Sequence, residues 1–253
     1  MTIQSKLSLL IALMAVVPTT ALAQNTSPGT AVHMLIGQSP MRVNLATGSA
    51  DRYYDFPVIT NRSYCVEATE ADDELDAADP ALTIYHADGA TPVGSNDNTT
   101  IEPKGLVAAR VCFIASADET NFIKLSPSAP AFENQDYALR VVESTLFTNW
   151  FFVGGDYSSF TLIRNTTSTA VNYRAMWRNA GGTVVYSQAL SAVPPNGIVA
   201  LNARTINAVL AAGSGSVEIA HDGSPEALVG SQTTLSGGTG LSFDTIYFQR
   251  RAW

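Results

Sequence analysis

The sequence predicts an all-β protein with two β-sandwich domains in tandem, preceded by a cleaved signal peptide. Short segments alternate apolar and polar residues with a period of two, and turn residues separate these segments at regular intervals. No long stretch after the N-terminal region repeats apolar residues at helical spacing. Short, evenly spaced strands of this kind are typical of sandwiches and barrels.

The first 23 residues have the composition of a signal peptide. Lys6 provides a positive charge, residues 7–17 form a short apolar run, and Ala21-Leu22-Ala23 fits a cleavage site. The run is shorter than the ~20 residues that cross a bilayer, and no later segment is apolar for long enough. A buried core helix is the alternative. We expect cleavage before Gln24, export to the periplasm or extracellular space, and no membrane span.

Charge is unevenly distributed along the chain. Residues 24–145 contain seventeen acidic and seven basic residues, whereas residues 146–253 contain five acidic and six basic residues. This asymmetry predicts a boundary near Thr145, with one sandwich at 24–145 and a second at 146–253. Nucleic acid requires a basic stripe, and the arginines of the second half are scattered, so we expect no nucleic-acid partner.

Alternating segments place the strands of both halves. They are residues 54–58, 64–68, 81–86, 107–115, 122–125 and 137–142 in the first half, and 160–162, 171–177, 199–201 and 217–219 in the second. Asp88-Gly89 suits a tight reversal, because glycine accepts positive φ. Residues 179–182 and 194–197 predict two further turns, and 204–212 is the one segment that suits a short helix.

The chain has two cysteines, Cys65 and Cys112. In an exported chain an even pair predicts a disulfide. Cys65 shares a strand face with Glu67, and Cys112 shares one with Arg110, so adjacent strands would bring both sulfur atoms to the same face. The three histidines show no ligand spacing that would indicate a metal site with these cysteines.

Four blocks of the first half follow one another in a characteristic order: residues 52–58, 79–89, 95–98 and 136–141. Over residues 51–143 this order resembles the bacterial pre-peptidase C-terminal (PPC) domain. The resemblance implies a secreted, jelly-roll-like β-sandwich that is associated with calcium. Residues 147–244 look like a second secreted sandwich, jelly-roll-like or immunoglobulin-like, to which no function is attached.

An acidic run extends from Glu70 to Asp79. A solvated loop is one interpretation of such a run. A calcium site is the other, because calcium accepts several hard oxygen ligands from loops. Asp79 and Asp97 are the candidate metal ligands, and calcium is the one cofactor that the sequence suggests.

Catalytic patterns are weak in this sequence. Serine hydrolysis needs an exposed nucleophile, a histidine base and an orienting acid, and the chain has no nucleophile elbow. His221-Asp222-Gly223 contains a potential base, but the same tripeptide is a common turn after a strand. We therefore expect no enzymatic activity.

Aromatic side chains provide the candidate binding residues. Trp150 and Tyr157 are expected to contribute to a flat platform for sugar rings. Trp177 is on the same face of its predicted strand as Val171 and Tyr173, so it is expected in the core. These features favour a secreted, non-catalytic binding protein for a polysaccharide or a cell-surface protein. A structural or assembly component of the cell surface and an enzyme with an unrecognised site are the alternatives.

Overall fold

The structure is a computed structural model that describes residues 25–45, 51–71, 79–101, 108–127, 135–210 and 213–251. The predicted all-β class is confirmed, because strands dominate throughout these ranges. Within them, no helix has the length and apolar character needed to cross a bilayer.

The strands of the first half are β1 (Val32–His33), β2 (Met41–Leu45), β3 (Arg52–Val58), β4 (Ser63–Glu70), β5 (Pro80–Tyr85), β6 (Pro92–Asn96), β7 (Ala109–Ile114), β8 (Glu119–Pro127) and β9 (Gln135–Glu143). Those of the second half are β10 (Leu146–Val153), β11 (Tyr157–Asn165), β12 (Val171–Asn179), β13 (Val184–Ser187), β14 (Ser191–Val193), β15 (Ile198–Asn202), β16 (Gly213–His221), β17 (Leu228–Ser236), β18 (Ser242–Tyr247) and β19 (Gln249–Arg250). One short helix, α1, spans Ala203–Ile206.

Four nested antiparallel pairs organise the first sandwich: β2 with β9, β3 with β8, β4 with β7, and β5 with β6. Nesting of this kind makes one long hairpin of eight strands. The additional pairs β4–β9 and β5–β8 roll that hairpin into two sheets, ordered β2-β9-β4-β7 and β1-β3-β8-β5-β6. This is the jelly-roll arrangement that the PPC resemblance implied.

The apolar core of the first sandwich lies between these sheets. Residues alternate between buried and partly exposed along β5 and β7, as expected for strands with one core face. Three aromatic rings at its centre, those of Phe56, Tyr64 and Phe113, lie with centroids 6.1–6.4 Å apart. Strand β4 differs, since its first six residues are all buried and its outward face is therefore covered as well.

The second sandwich also consists of two antiparallel sheets. One has the order β13-β12-β16-β10-β19, with β14 also on β12, and the other has the order β15-β11-β17-β18. Trp177 is completely buried between them, which confirms its expected place in the core. This core is separate from that of the first half, whose described members end at Val141.

The expected turns and helix are largely present. Gly89 has φ of +66° between β5 and β6, and Asp88 Oδ1 accepts hydrogen bonds from the N–H groups of Ala90 and Thr91. The predicted helix at 204–212 is reduced to α1 and a 3-10 turn at Ala208–Leu210. Asn207 ends α1 by adopting extended backbone, and its side chain accepts a hydrogen bond from the N–H of Val209.

Cys65 and Cys112 are directly opposite each other on β4 and β7 and form a disulfide, with Cα atoms 4.1 Å apart. The pair is on the outward face of its sheet. That face is covered by the second half of the chain, because the Gly223 carbonyl oxygen lies 3.6 Å from Cys65 Sγ. Cys65 is therefore completely buried at the contact between the two sandwiches, while Cys112 is half-buried.

We expect the disulfide to stabilise the folded protein by constraining the unfolded chain. The two cysteines are 47 residues apart, for which loop-closure entropy gives ~4 kcal/mol as an upper figure. The free energy of unfolding in urea, measured for the wild type and for a C65A/C112A variant, should differ by up to this amount. Alkylation of both cysteines in the non-reduced exported protein would contradict the bridge.

Candidate functional site

A cleft of about 850 Å³ opens at one end of the first sandwich, where the chain passes from β1 to β2. Strand β1 pairs with β3 only as far as His33–Asp55, and residues 34–39 then leave β3 and open a space beside its end. This junction cleft is lined by Met34, Leu35, Ile36, Gly37, Gln38, Ser39, Pro57, Ile59, Arg62, Tyr64, Glu143 and Arg251. Its volume is within the range of small-molecule sites.

Most of the cleft wall is aliphatic. Leu35 and Ile59 are 54% and 45% exposed, although both are large apolar residues. The Tyr64 hydroxyl accepts a hydrogen bond from the N–H of Ile59 at 3.0 Å, and burial raises the pKa of this phenol. The wall therefore offers apolar contact, with its charged groups confined to one side.

Three charged side chains form that side. Glu143, the last residue of β9, is 2% exposed; its Oε1 is 3.5 Å from Arg62 Nη1 and its Oε2 is 3.8 Å from Arg251 Nη1. Both guanidinium groups lie over the Phe147 ring, at 5.8 Å and 5.4 Å from its centroid. The chain thus brings together residues from β9 and β10 with the residue just before β4 and the residue just after β19.

The polar atoms of this group are incompletely hydrogen-bonded. Glu143 Oε1 and the Nε and Nη1 atoms of Arg62 are buried and have no hydrogen-bond partner among the described residues. Burial raises the pKa of Glu143, while the charges of Arg62 and Arg251 act in the opposite direction. Two guanidinium groups and one buried carboxyl group therefore lie together at this side of the cleft.

Trp150 and Tyr157, the residues expected to bind sugar, are joined by a third ring that the sequence did not indicate. Trp150 and Phe152 are nearly parallel, with an angle of 7° and centroids 6.1 Å apart, and the Phe152 and Tyr157 centroids are 6.4 Å apart. These three residues form the aromatic row. Trp150 and Phe152 are half-buried, and Tyr157 is 38% exposed.

A β-bulge creates the aromatic row. Thr148 is opposite Val217 but Phe151 is opposite Gly215, so β10 has one extra residue in this interval. The extra residue changes the parity of the strand. Phe151 and Val153 therefore join the core, while Trp150 and Phe152 point to the other face.

The hairpin between β10 and β11 places Tyr157 beside Phe152. Gly155 has φ of +54°, and Arg204 Nη2 donates to the carbonyl oxygens of Gly155 and Tyr157 at 2.7 Å each. A Cβ atom at Gly154 would lie 2.8 Å from the Phe152 ring, so this position requires glycine if the ring is to keep its place. The conformation of this hairpin therefore keeps Tyr157 next to the other rings of the aromatic row.

Asp79 and Asp97, the two candidate metal ligands, lie at the same end of the β5–β6 hairpin. Asp79 immediately precedes β5, Asp97 immediately follows β6, and Leu82 is opposite Asn96. In the described part of the chain, no three His, Cys, Asp or Glu side chains are grouped so as to hold a metal. These residues alone do not make a calcium cage, which needs six to eight oxygen ligands. Residues 72–76 of the acidic run lie outside the described ranges, and the calcium site stays a prediction.

His221 lies at the end of β16 and is completely buried. Burial lowers its pKa from 6.5 to about 4. The neighbouring Asp222 carboxylate accepts hydrogen bonds from the backbone N–H and the side-chain amide of Asn172, at 2.9 and 2.7 Å. Asp222 thus tethers the turn after β16 to β12, and the His221 ring has no contact with solvent.

The other two histidines each contact a carboxylate, which sequence spacing did not reveal. His33 Nδ1 is 2.5 Å from Asp55 Oδ1 across the β1–β3 pair, and His86 Nδ1 is 2.6 Å from Glu119 Oε1. In both cases the partners are adjacent because of strand pairing, although they are far apart in sequence. Strand register would have been needed to find them.

The buried, neutral His221 makes an acid-dependent contribution to stability. Because its folded pKa is depressed, the unfolded chain binds the proton more readily, so stability present above pH 6.5 is lost as the pH falls towards 4. The loss should reach about 3 kcal/mol. Urea unfolding of H221Q across this interval should show a shallower pH dependence than the wild type.

The matched control is S144A, which removes a buried hydroxyl group next to His221 that does not titrate in this interval. It should retain the wild-type pH dependence of the unfolding free energy. An H221Q variant with the same acid sensitivity as the wild type would contradict the role assigned to the buried ring.

A scan against protein-family models finds no match for this chain, and a search of curated proteins finds none. Among solved structures, the chain is similar to the pre-peptidase C-terminal domain of a collagenase from Bacillus anthracis, with 12% identity and a TM-score of 0.35 over 44% of this chain and 93% of that one. It is also similar to an inferred secreted protein from Eubacterium rectale, with 9% identity and a TM-score of 0.25 over 83% of this chain and 74% of that one. Both TM-scores are low, so the fold described above rests on its own strand pairing.

Proposed function

We propose that this chain is an exported, non-catalytic protein that binds polysaccharide through the aromatic row. The observation that carries the proposal is the near-parallel arrangement of Trp150 and Phe152 beside Tyr157. Partly exposed aromatic side chains in one row offer apolar surface to successive sugar residues. The row is also next to a loop, where sandwich proteins commonly place recognition.

Export is supported by two independent features. The N-terminal residues have the order of charge, apolar run and small residues that is typical of a signal peptide. The paired cysteines fit an oxidising compartment, because disulfides persist there and are rare in the cytosol. Both features apply equally to the periplasm and to the extracellular space.

Binding without turnover is the second part of the proposal. The completely buried His221 would have to become accessible before it could act as a base, and its Asp222 neighbour is engaged by Asn172. His33 and His86 are paired with carboxylates on the first sandwich, away from the aromatic row. These placements favour recognition over catalysis.

A structural or assembly component is the second candidate, and one observation favours it. The outward side of the sheet β15-β11-β17-β18 carries four exposed apolar residues that adjoin across the strands. We call them the apolar face: Leu162, Ile198, Val229 and Tyr247. Contiguous exposed apolar surface often marks a protein contact. Concentration-dependent association in size-exclusion chromatography, lost on I198D, would support this candidate.

The polysaccharide proposal predicts that the aromatic row is required for retention. In affinity electrophoresis against a panel of soluble polysaccharides chosen from a glycan array, W150A and Y157A should each weaken binding roughly tenfold. The matched control is Y247A, which removes a tyrosine that is 74% exposed on the apolar face. It should bind as the wild type does.

Hydrolysis of the same polysaccharides should not exceed that of buffer alone. Wild-type protein that is retained by no glycan, or a W150A variant that is retained unchanged, would contradict the proposal. Turnover that disappears in H221A would instead favour an enzyme.

A further inference from the structure

We propose that Ser214 and Ser216 supply hydrogen bonds to the glycan beside the aromatic row, and that this site takes a neutral, hydroxyl-rich polysaccharide. The inference rests on the proposed function, because it adds polar contacts to the same site and names the class of sugar chain. Three observations carry it: the register of β16, the unpaired serine hydroxyl groups and the balanced charges beside the row.

Strand register places the two serines next to the rings. Ser214 is directly opposite Phe152 on the adjacent strand β10. The bulge leaves residues 149–150 opposite Ser216, so Trp150 lies beside Ser216. Directly opposite residues of an antiparallel pair lie on one face of the sheet, with Cβ atoms ~5 Å apart. The hydroxyl groups and the rings therefore belong to one outward surface.

Strand β16 holds these serines in a fixed position, because it is paired on both sides. Residues 213–219 are opposite β10, and residues 215–221 are opposite β12. On the β12 side Ser216 is directly opposite Arg178, so Ser216 lies between Trp150 and Arg178. Polar groups on a central strand are placed more precisely than polar groups on a loop.

Both hydroxyl groups can hydrogen-bond a ligand. Ser214 and Ser216 are half-buried, and neither side chain has a hydrogen-bond partner among the described residues. A serine hydroxyl donates one hydrogen bond and accepts others, as the hydroxyl groups of a sugar do. Aromatic rings supply apolar contact, whereas a few placed polar groups fix the orientation of a ligand. The serines provide such groups beside the row.

The nearest guanidinium group is neutralised by the protein itself. Arg178 Nε and Nη2 donate to the two Glu218 oxygens at 2.8 and 3.0 Å, and Arg178 Nη1 donates to the Gly182 carbonyl oxygen at 3.0 Å. A bidentate pair of this kind satisfies both the charge and the fork of the guanidinium group. Arg178 therefore offers no uncompensated charge to an anionic sugar.

The other charges near the row are also balanced. The β10–β11 hairpin contributes the exposed Asp156, and Arg204 donates to two backbone carbonyl oxygens of the same hairpin. At longer range, the seventeen acidic and seven basic residues of 24–145 repel a polyanion. A neutral polysaccharide meets no such repulsion, so the charges favour a neutral chain over one that contains uronic acids.

The first experiment tests the class of sugar chain. Affinity electrophoresis of the full-length exported protein compares soluble β-glucan, xylan and galactomannan with polygalacturonate. The neutral polymer that retains the protein best is then compared with its carboxymethylated and hydroxyethylated derivatives, which share its backbone. Carboxymethylation should weaken retention roughly tenfold or more relative to hydroxyethylation, because it adds negative charge.

The second experiment removes the hydroxyl groups. S214A/S216A should weaken retention by the best neutral polymer roughly tenfold, because two hydrogen bonds to the glycan are lost. Its free energy of unfolding in urea should equal that of the wild type, since neither hydroxyl group is hydrogen-bonded within the described protein. The matched control is S231A, which changes a half-buried serine on β17 of the other sheet and should be retained like the wild type.

The outcomes separate this inference from the proposed function. Reduced retention of W150A together with unchanged retention of S214A/S216A would overturn the role of the serines and leave the aromatic row in place. Stronger retention by polygalacturonate or by the carboxymethylated polymer would overturn the neutral class. Retention by no glycan would contradict both the proposed function and the inference that rests on it.

Discussion

Strand β4 lies between β7 and β9. Its register against these two neighbours determines which side chains are paired with the outward residues of β4. Cys65 is opposite Cys112, while Glu67 is opposite Arg110 on one side and Arg140 on the other. Because this face is covered, every polar group on it needs a partner. Arg110 Nε and Arg140 Nε donate to the two Glu67 oxygens at 2.7 and 2.5 Å, so one carboxylate is held by two cations.

Among the described residues of the first half, the buried glutamates Glu67 and Glu143 differ in how completely they are hydrogen-bonded. Glu67 has both oxygens hydrogen-bonded, and removing one partner of such a buried pair costs several kcal/mol. Glu143 is just as inaccessible, but its arginines are 3.5 and 3.8 Å away and Oε1 has no hydrogen bond in the described chain. A carboxylate with both oxygens hydrogen-bonded stabilises its sheet, whereas Glu143 keeps one buried oxygen without a hydrogen bond beside the cleft.

Sequence periodicity predicted most of the architecture, because burial on one face imposes a period of two. Six strands of the first half and the turn at Gly89 could be predicted in this way, whereas β6 could not; the six are β3, β4, β5, β7, β8 and β9. The aromatic row could be predicted only in part, because the bulge after Thr148 reverses the parity of Phe152. The cleft could not be predicted, since Leu35, Arg62 and Arg251 are brought together by strand pairing and by the contact between the two halves.

Strand β10 carries parts of both candidate sites. Phe147, near its start, lies beneath the guanidinium groups of the cleft, while Trp150 and Phe152 contribute the aromatic row beyond the bulge. Trp150 is three residues along the strand from Phe147, a span of roughly 10 Å, and Phe152 is five residues along, a span of roughly 16 Å. The rings of the row carry no charge, and the row shares no residue with the cleft, so the two candidate sites are separate features of one strand.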